Sequence, residues 1–141
     1  MKISIIFLLL FSILQVSACG NSANLTKNMD NSNEITLPKP INNFVKAVND
    51  GDNEKFLAFF DAKEGVIYDW GRKFVGHEAI KGWSDKEFIG AKGKITPTKV
   101  EQKGNEISLW AGWKSNFYSG DSKFVFIVDG EKIKEMRIVG D

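Results

Sequence analysis

The 141-residue chain contains a single cysteine, a single histidine, three prolines and almost no net charge. One cysteine excludes an intramolecular disulfide, so the fold must be held by its apolar core. One histidine, with no second cysteine and no close-set carboxylates, leaves almost no ligand set for a metal, and neither metal nor cofactor is expected. The 19 basic and 18 acidic residues nearly cancel, which excludes the electrostatic footprint of a nucleic-acid binder. Lys92, Lys94, Lys99 and Lys103 surround one strand and read as edge protection rather than a phosphate site. There is no Gly-rich phosphate loop, nucleophile elbow or nucleotide fingerprint. Long apolar runs are absent except at the N-terminus.

That run follows Lys2 and extends from Ile3 to Leu14. About a dozen apolar residues are too few to cross a bilayer comfortably and have the build of an export signal. Val16-Ser17-Ala18-Cys19 resembles the lipobox of bacterial lipoproteins. The resemblance implies cleavage before Cys19, acylation of its thiol (palmitate-type chains) and export to a lipid-anchored position. The membrane, through lipid on Cys19, is then the first expected partner, because several buried acyl chains anchor stably where one would not. Gly20 replaces the Asp that marks inner-membrane retention in many such proteins, which points to the periplasmic face of an outer membrane where the host has one. Cleavage removes one basic residue, Lys2, and leaves 18 against 18. Residues 1–18 are thus expected as signal and 19–36 as a lipidated, Asn- and Ser-rich flexible tether. Residues 37–141 are expected as one domain.

Within that domain Leu37, Ile41, Phe44, Val45 and Val48 form one helical stripe, ended by Asn49-Asp50-Gly51. Asp52 or Asn53 caps a second short helix carrying Phe56, Leu57, Phe59 and Phe60. Val66–Trp70 and Arg72–Val75 read as a strand pair turning at Gly71. A third helix opens at Gly76, sends Ile80 and Trp83 inward and ends near Gly90. Strands follow over 94–101, 106–118, 122–128 and 132–139, the last two joined at Asp129-Gly130. Helices followed by antiparallel strands indicate an α+β domain with helices on one face of a curved sheet.

Three segments in this order, FVKAVNDGDNEKFLAFF (44–60), FVGHEAIKGW (74–83) and FVFIVDGEKIKEMRIV (124–139), resemble the nuclear transport factor 2-like superfamily, in particular its SnoaL-like branch. The resemblance implies a cystatin-like cone: a strongly bent antiparallel sheet wrapped around three N-terminal helices, with an apolar pocket open at one end. Members include isomerases, dehydratases, hydrolases, cyclases and non-catalytic binding domains, so the pocket residues must decide the function.

The ketosteroid isomerases of this superfamily use a first-strand Asp as base and a Tyr plus a protonated Asp as oxyanion hole. The two oxyanion positions match Phe44 and Phe124 here, which argues against that chemistry. The base position falls on Asp69, or on Tyr68 with one residue of slippage, and alternation lets only one of them face the pocket. Asp69 reads either as a general base or as a turn residue whose carboxylate bonds local backbone N–H groups. His77 reads either as its partner or as a structural residue in the first turn of the third helix. The catalytic candidates are therefore Asp69, His77 and Tyr68, none compelling. The positive signal is aromatic: four tryptophans and 11 phenylalanines in the chain. Phe44, Phe60, Trp83, Trp113, Phe124, Phe126, Met136 and Ile138 are the expected lining of a pocket for a small apolar ligand. Whichever of Trp110 and Trp113 faces outward is the expected anchor of a homodimer through the sheet face. The leading expectation is non-catalytic binding of a small ligand or partner protein in the cell envelope. An enzyme using Asp69 and an accessory assembly subunit are the alternatives.

Overall fold

The apolar stripes and alternating runs become three helices and six strands over residues 35–140, the part of the chain that the computed structural model describes. The signal, Cys19 and most of the tether lie outside the described residues. Helix α1 (Lys39–Asp50) buries Ile41, Phe44, Val45, Ala47 and Val48, with Pro40 in the first turn where its missing N–H is no loss. Gly51, at φ 73°, ends it. The Asp52 and Gly51 N–H groups donate to Ala47 and Val48 carbonyls at 2.9 and 3.0 Å, satisfying the last orphan acceptors. The Asp52 side chain then accepts from Lys55 N–H at 2.9 Å and caps α2 (Asn53–Ala58). Two signals on adjacent residues thus make the helical hairpin.

Strands β1 (Val66–Asp69) and β2 (Arg72–Val75) precede α3 (Gly76–Glu87), followed by β3 (Lys94–Lys103), β4 (Glu106–Lys114), β5 (Ser119–Asp129) and β6 (Lys132–Val139). Their order in the sheet is β2-β1-β6-β5-β4-β3, and the sheet is curved without closing. One junction departs from antiparallel: β1 lies parallel to β6, pairing Ile67 with Met136 and Asp69 with Ile138. A helix and four strands separate them in the chain, so no hairpin dictates their direction. The 106–118 strand expectation also shortens. Ser115 Oγ accepts from the Phe117 and Tyr118 N–H groups at 3.2 Å, and Ser115 N–H donates to Tyr118 O at 2.8 Å. This serine-centred turn ends β4 and lets β5 begin at Ser119, ahead of the expected Ser122.

Alternation sends Ile107, Leu109 and Ala111 of β4 inward with Phe124 and Phe126 of β5, while Trp110 faces out. The inward faces and the helices share one core, in which Phe44, Phe56, Phe88, Phe124 and Phe126 are buried. Burial of each such ring contributes about 1.5–3 kcal/mol. Asn49 ties α1 to the edge strand β3: its Nδ2 donates to Ile95 O at 2.8 Å and its Oδ1 accepts from Ile95 N–H at 2.7 Å. Among the described residues no helix is long and apolar enough to cross a membrane.

Candidate ligand site at the mouth of the sheet

The β1–β2 connection is a two-residue turn, Trp70-Gly71, closed by the pair Asp69 and Arg72. Both central residues have positive φ, 49° and 84°, the signature of the mirror-image turn whose twist suits a hairpin. Gly71 is at ease there; a tryptophan in that conformation is an outlier. The turn projects Trp70, 69% exposed, over the open end of the sheet, where it packs on Gly140.

β1 alternates, so Ile67 and Asp69 point inward and Tyr68 outward. Tyr68 lies on the outer face beneath Lys73 and Arg137, at 5.5 and 5.9 Å from its ring centre. Asp69 is buried, 8% exposed, and its partners are side chains rather than the backbone amides expected of a turn carboxylate. Its Oδ2 accepts from the Trp83 indole at 3.1 Å and from Arg72 Nη2. The register places Arg72 opposite Asp69, and the guanidinium also forks onto both oxygens of Glu87 at 2.9 and 2.7 Å. These bonds hold Arg72 above its ordinary pKa and Glu87 below the ordinary carboxylate value.

A group whose folded pKa is depressed adds stability above its unfolded pKa and loses it as pH falls through the folded value. The Arg72–Glu87 bond should therefore stabilise the domain above the ordinary glutamate value of 4.5 and fade below it. The Glu87 side chain is 45% exposed, so solvent screens the effect. Melting temperatures at pH 7 and pH 3 should differ less in Arg72→Gln than in the wild type. An unchanged difference would contradict the assignment.

His77 stands apart from Asp69. Its N–H donates to Ala62 O at 2.9 Å, and its Nε2 lies 2.9 Å from Phe60 O. It lines a broad cleft of about 590 Å³ where the α2–β1 loop meets the β5–β6 hairpin. The Asp69–His77 pair, one of the two readings of His77, is therefore not formed: one residue belongs to the mouth, the other to the far cleft. The far cleft is the larger of the two. However, its floor residues Phe60 and Ile133 already have their backbone groups paired, and acidic and basic side chains alternate around it. Among the described residues no cluster of three potential metal ligands occurs.

The mouth holds a cavity of about 90 Å³. Its polar lining is Asp69, Glu87 and Ser122; Trp70, Trp83, Trp113, Tyr118, Phe88 and Ile138 supply the rest. Asp69 Oδ1 and Ser122 Oγ take no side-chain hydrogen bond among the described residues, and neither is sealed from solvent, although Ser122 as a residue is only 6% exposed. Of the eight expected lining residues, Trp83, Trp113 and Ile138 reach this cavity and Phe60 lines the far cleft. Phe44, Phe124, Phe126 and Met136 are instead buried in the core, at 1% exposure or less. The rings close a circuit: Phe88 stacks on Trp113 at 4.7 Å, and contacts continue through Phe124, Phe126, Phe44 and Phe56 back to Phe88. Aromatic packing fills the interior between the two clefts, and the smaller space lies at the mouth. Trp70, Glu87, Tyr118 and Ser122 were not foreseen. Ser122 shares the parity of Phe124, and Glu87 follows Ile80 and Trp83 at helical spacing, which are the signals that could have found them. Trp110, on the outer face, is half-buried beneath Lys99 and Lys123, 4.5 and 4.6 Å from its ring centre.

No family model matches the chain, and no curated protein matches its sequence. Its fold has many counterparts among solved structures. A polyketide cyclase candidate from Sinorhizobium meliloti is 20% identical, with a TM-score of 0.67 over 73% of this chain and 95% of that one. A protein of ketosteroid isomerase-like fold from Catenulispora acidiphila, solved with trimethylamine, is 20% identical, with a TM-score of 0.62 over 75% and 88% of the two chains. RV0760c of Mycobacterium tuberculosis, solved with estradiol-17β-hemisuccinate, is 18% identical, with a TM-score of 0.63 over 72% and 91%. The domain has the cone-shaped nuclear transport factor 2-like fold.

Proposed function

We propose that this domain is a binding module for a small ligand held at the mouth of the cone, displayed in the cell envelope by lipid on Cys19. The observation that carries the reading is the mouth cavity itself. Asp69, through the oxygen not bonded to Arg72 and Trp83, and Ser122 line a space shared with Glu87, Ile138 and aromatic rings. Both polar groups are open to solvent rather than sealed, so a ligand that bonds them would take the place of water. The trimethylamine and estradiol complexes of similarly folded proteins add support for a ligand-binding role. Room of about 90 Å³ is about three times the ~30 Å³ that one water occupies in the liquid, which suits only a very small ligand.

Binding is favoured over catalysis by what surrounds Asp69. Its carboxylate is ion-paired, and the oxyanion positions of the isomerases carry Phe44 and Phe124, both packed in the aromatic circuit. General-base action by Asp69 is the second reading, because Oδ1 lines the cavity; it lacks a partner acid there, since His77 belongs to the other cleft.

A thermal-shift screen of small molecules tests the site, since a ligand specific to the folded state raises the melting temperature by mass action. Hits should stabilise the wild type and leave Ser122→Phe, whose ring fills the mouth, unmoved. No hits, or equal stabilisation of the variant, would contradict the reading. For the anchor, Cys19→Ser should move the protein from the membrane fraction to the soluble fraction. Undiminished membrane retention would refute it.

A further inference from the structure

We propose that the mouth selects a small alkylammonium cation, its N–H donated to Asp69 Oδ1 and its alkyl groups set against the surrounding aromatic rings. The inference rests on the reading of the mouth as a ligand seat and adds the charge and chemical class of the occupant.

Charge is the first argument. Two carboxylates, Asp69 and Glu87, line the cavity, whereas Arg72, which engages both, does not. The ion cluster carries one net negative charge, and both of its carboxylate residues line the space. An anionic ligand would meet like charge from Asp69 and Glu87. Lys99, Lys123, Lys73 and Arg137 lie over Trp110 and Tyr68 on the opposite face of the sheet.

The free hydrogen-bonding capacity has a matching bias. Asp69 Oδ2 already takes the Trp83 indole and Arg72, and both Glu87 oxygens are taken by Arg72. The remaining acceptor is Oδ1 of a carboxylate whose side chain is 12% exposed. An ionised carboxylate can only accept, so its occupant must donate, and a charged donor bonds it most strongly. Ser122 Oγ, without another side-chain partner and open to the cavity, can take a second N–H or a water.

Third, the remaining walls are electron-rich. Trp83 is stacked on by Phe74 and Phe88, and Trp113 by Phe88. Trp70 and Tyr118, however, make no ring stacking among the described residues and stand around the same cavity, and ring faces attract cations whose charge is spread over alkyl groups. Trp70 is held over the mouth by a backbone conformation that tryptophan rarely adopts. A neutral hydrocarbon would use the rings and waste Oδ1; a hydrated metal ion would use Oδ1 and waste the rings.

The test uses calorimetric titration of the full-length protein in detergent with three probes of similar shape: trimethylammonium, tert-butanol and pivalate. Trimethylammonium should bind at least about tenfold more tightly than either of the others, and added salt should weaken it alone. Asp69→Asn should abolish the preference. Glu87→Gln, which leaves Asp69 and the Trp83 bond in place, should reduce it and serves if Asp69→Asn folds poorly. If tert-butanol binds as well as the cation, the mouth is a ligand seat but the cation assignment fails. If pivalate binds best, the charge argument is reversed and the assignment fails. If no probe binds, the assignment and the small-ligand reading fall together.

Discussion

Phe56→Ala should lower the stability of the domain by about 3–5 kcal/mol, the range for removing a fully buried phenyl ring. Phe56 is wholly buried and touches four other rings: Phe44 at 5.7 Å, Phe60 and Phe88 at 5.4 Å, and Trp83 at 6.5 Å. It joins the helical hairpin to α3 and to the circuit that fills the cone. Its neighbours are rings on rigid elements, so collapse into the vacated space would be limited and a cavity would remain. A domain of this size has roughly 5–15 kcal/mol in total, so the loss would lower the melting temperature by roughly 15 °C or more. Urea titration would show it as a lower midpoint with the slope unchanged. A loss below about 1.5 kcal/mol, the scale of a volume-conserving exchange, would contradict the filled-cone account.

Gly90→Ala should be comparably damaging for a different reason. A methyl group there would lie inside the van der Waals shell of the Asp85 carbonyl oxygen and carbon, backbone atoms of α3 that cannot rotate aside. The segment is already closed by hydrogen bonds: Phe88 and Gly90 N–H groups donate to Ser84 O at 3.2 and 2.9 Å, and Gly93 N–H to Phe88 O at 3.1 Å. Relief would require moving the last turn of α3, which carries Glu87, and with it Phe88, stacked between Trp83 at 4.8 Å and Trp113 at 4.7 Å. The expected loss is about 4 kcal/mol or more, in the range reserved for structural conflict, and the mouth should lose its ligand with it. Gly82→Ala is the control. Nothing lies within 4 Å of the added carbon, and Gly82 is an exposed residue inside the same helix. It should stabilise by about 0.4–1 kcal/mol. Equal effects from the two alanines would show that propensity, not the clash, governs this helix.

The filled cone explains which parts of the molecule could be read from sequence. Helical spacing of Ile41, Phe44, Val45 and Val48, and the Asp52 cap, act locally, so α1 and α2 were legible. So was the inward parity of Phe124 and Phe126, which alternation along β5 gives, although a bulge between Ile127 and Val128 shifts the register of β5 against β6 by one residue from that of the turn. The parity of β4 was open because tryptophans three residues apart occupy both faces. The end of β4 depended on a serine turn, Ser115 to Tyr118, whose residues also suit a strand. Asn49 looked like a helix terminator, and nothing local shows that its amide pins an edge strand 46 residues away.

At the site the same division holds. Asp69 was identified as the residue of interest, but its environment was not, because Arg72 reaches it from β2 and Trp83 from α3, which also supplies the Glu87 that pairs with Arg72. Ring content announced an aromatic interior; whether rings line a space or consume it depends on packing. Here most consume it. What remains lies at the rim, where the unforeseen residues Trp70, Tyr118 and Ser122 meet those already suspected.

The indole N–H signals of the four tryptophans therefore give the most direct test of the central claim. Trp70, Trp83 and Trp113 line the mouth and Trp110 faces outward. During titration with trimethylammonium the first three should shift together to a common saturation, with Trp110 unmoved. Movement of Trp110 alone, or silence of the three mouth indoles at saturating probe, would contradict a ligand seat at the mouth of the cone.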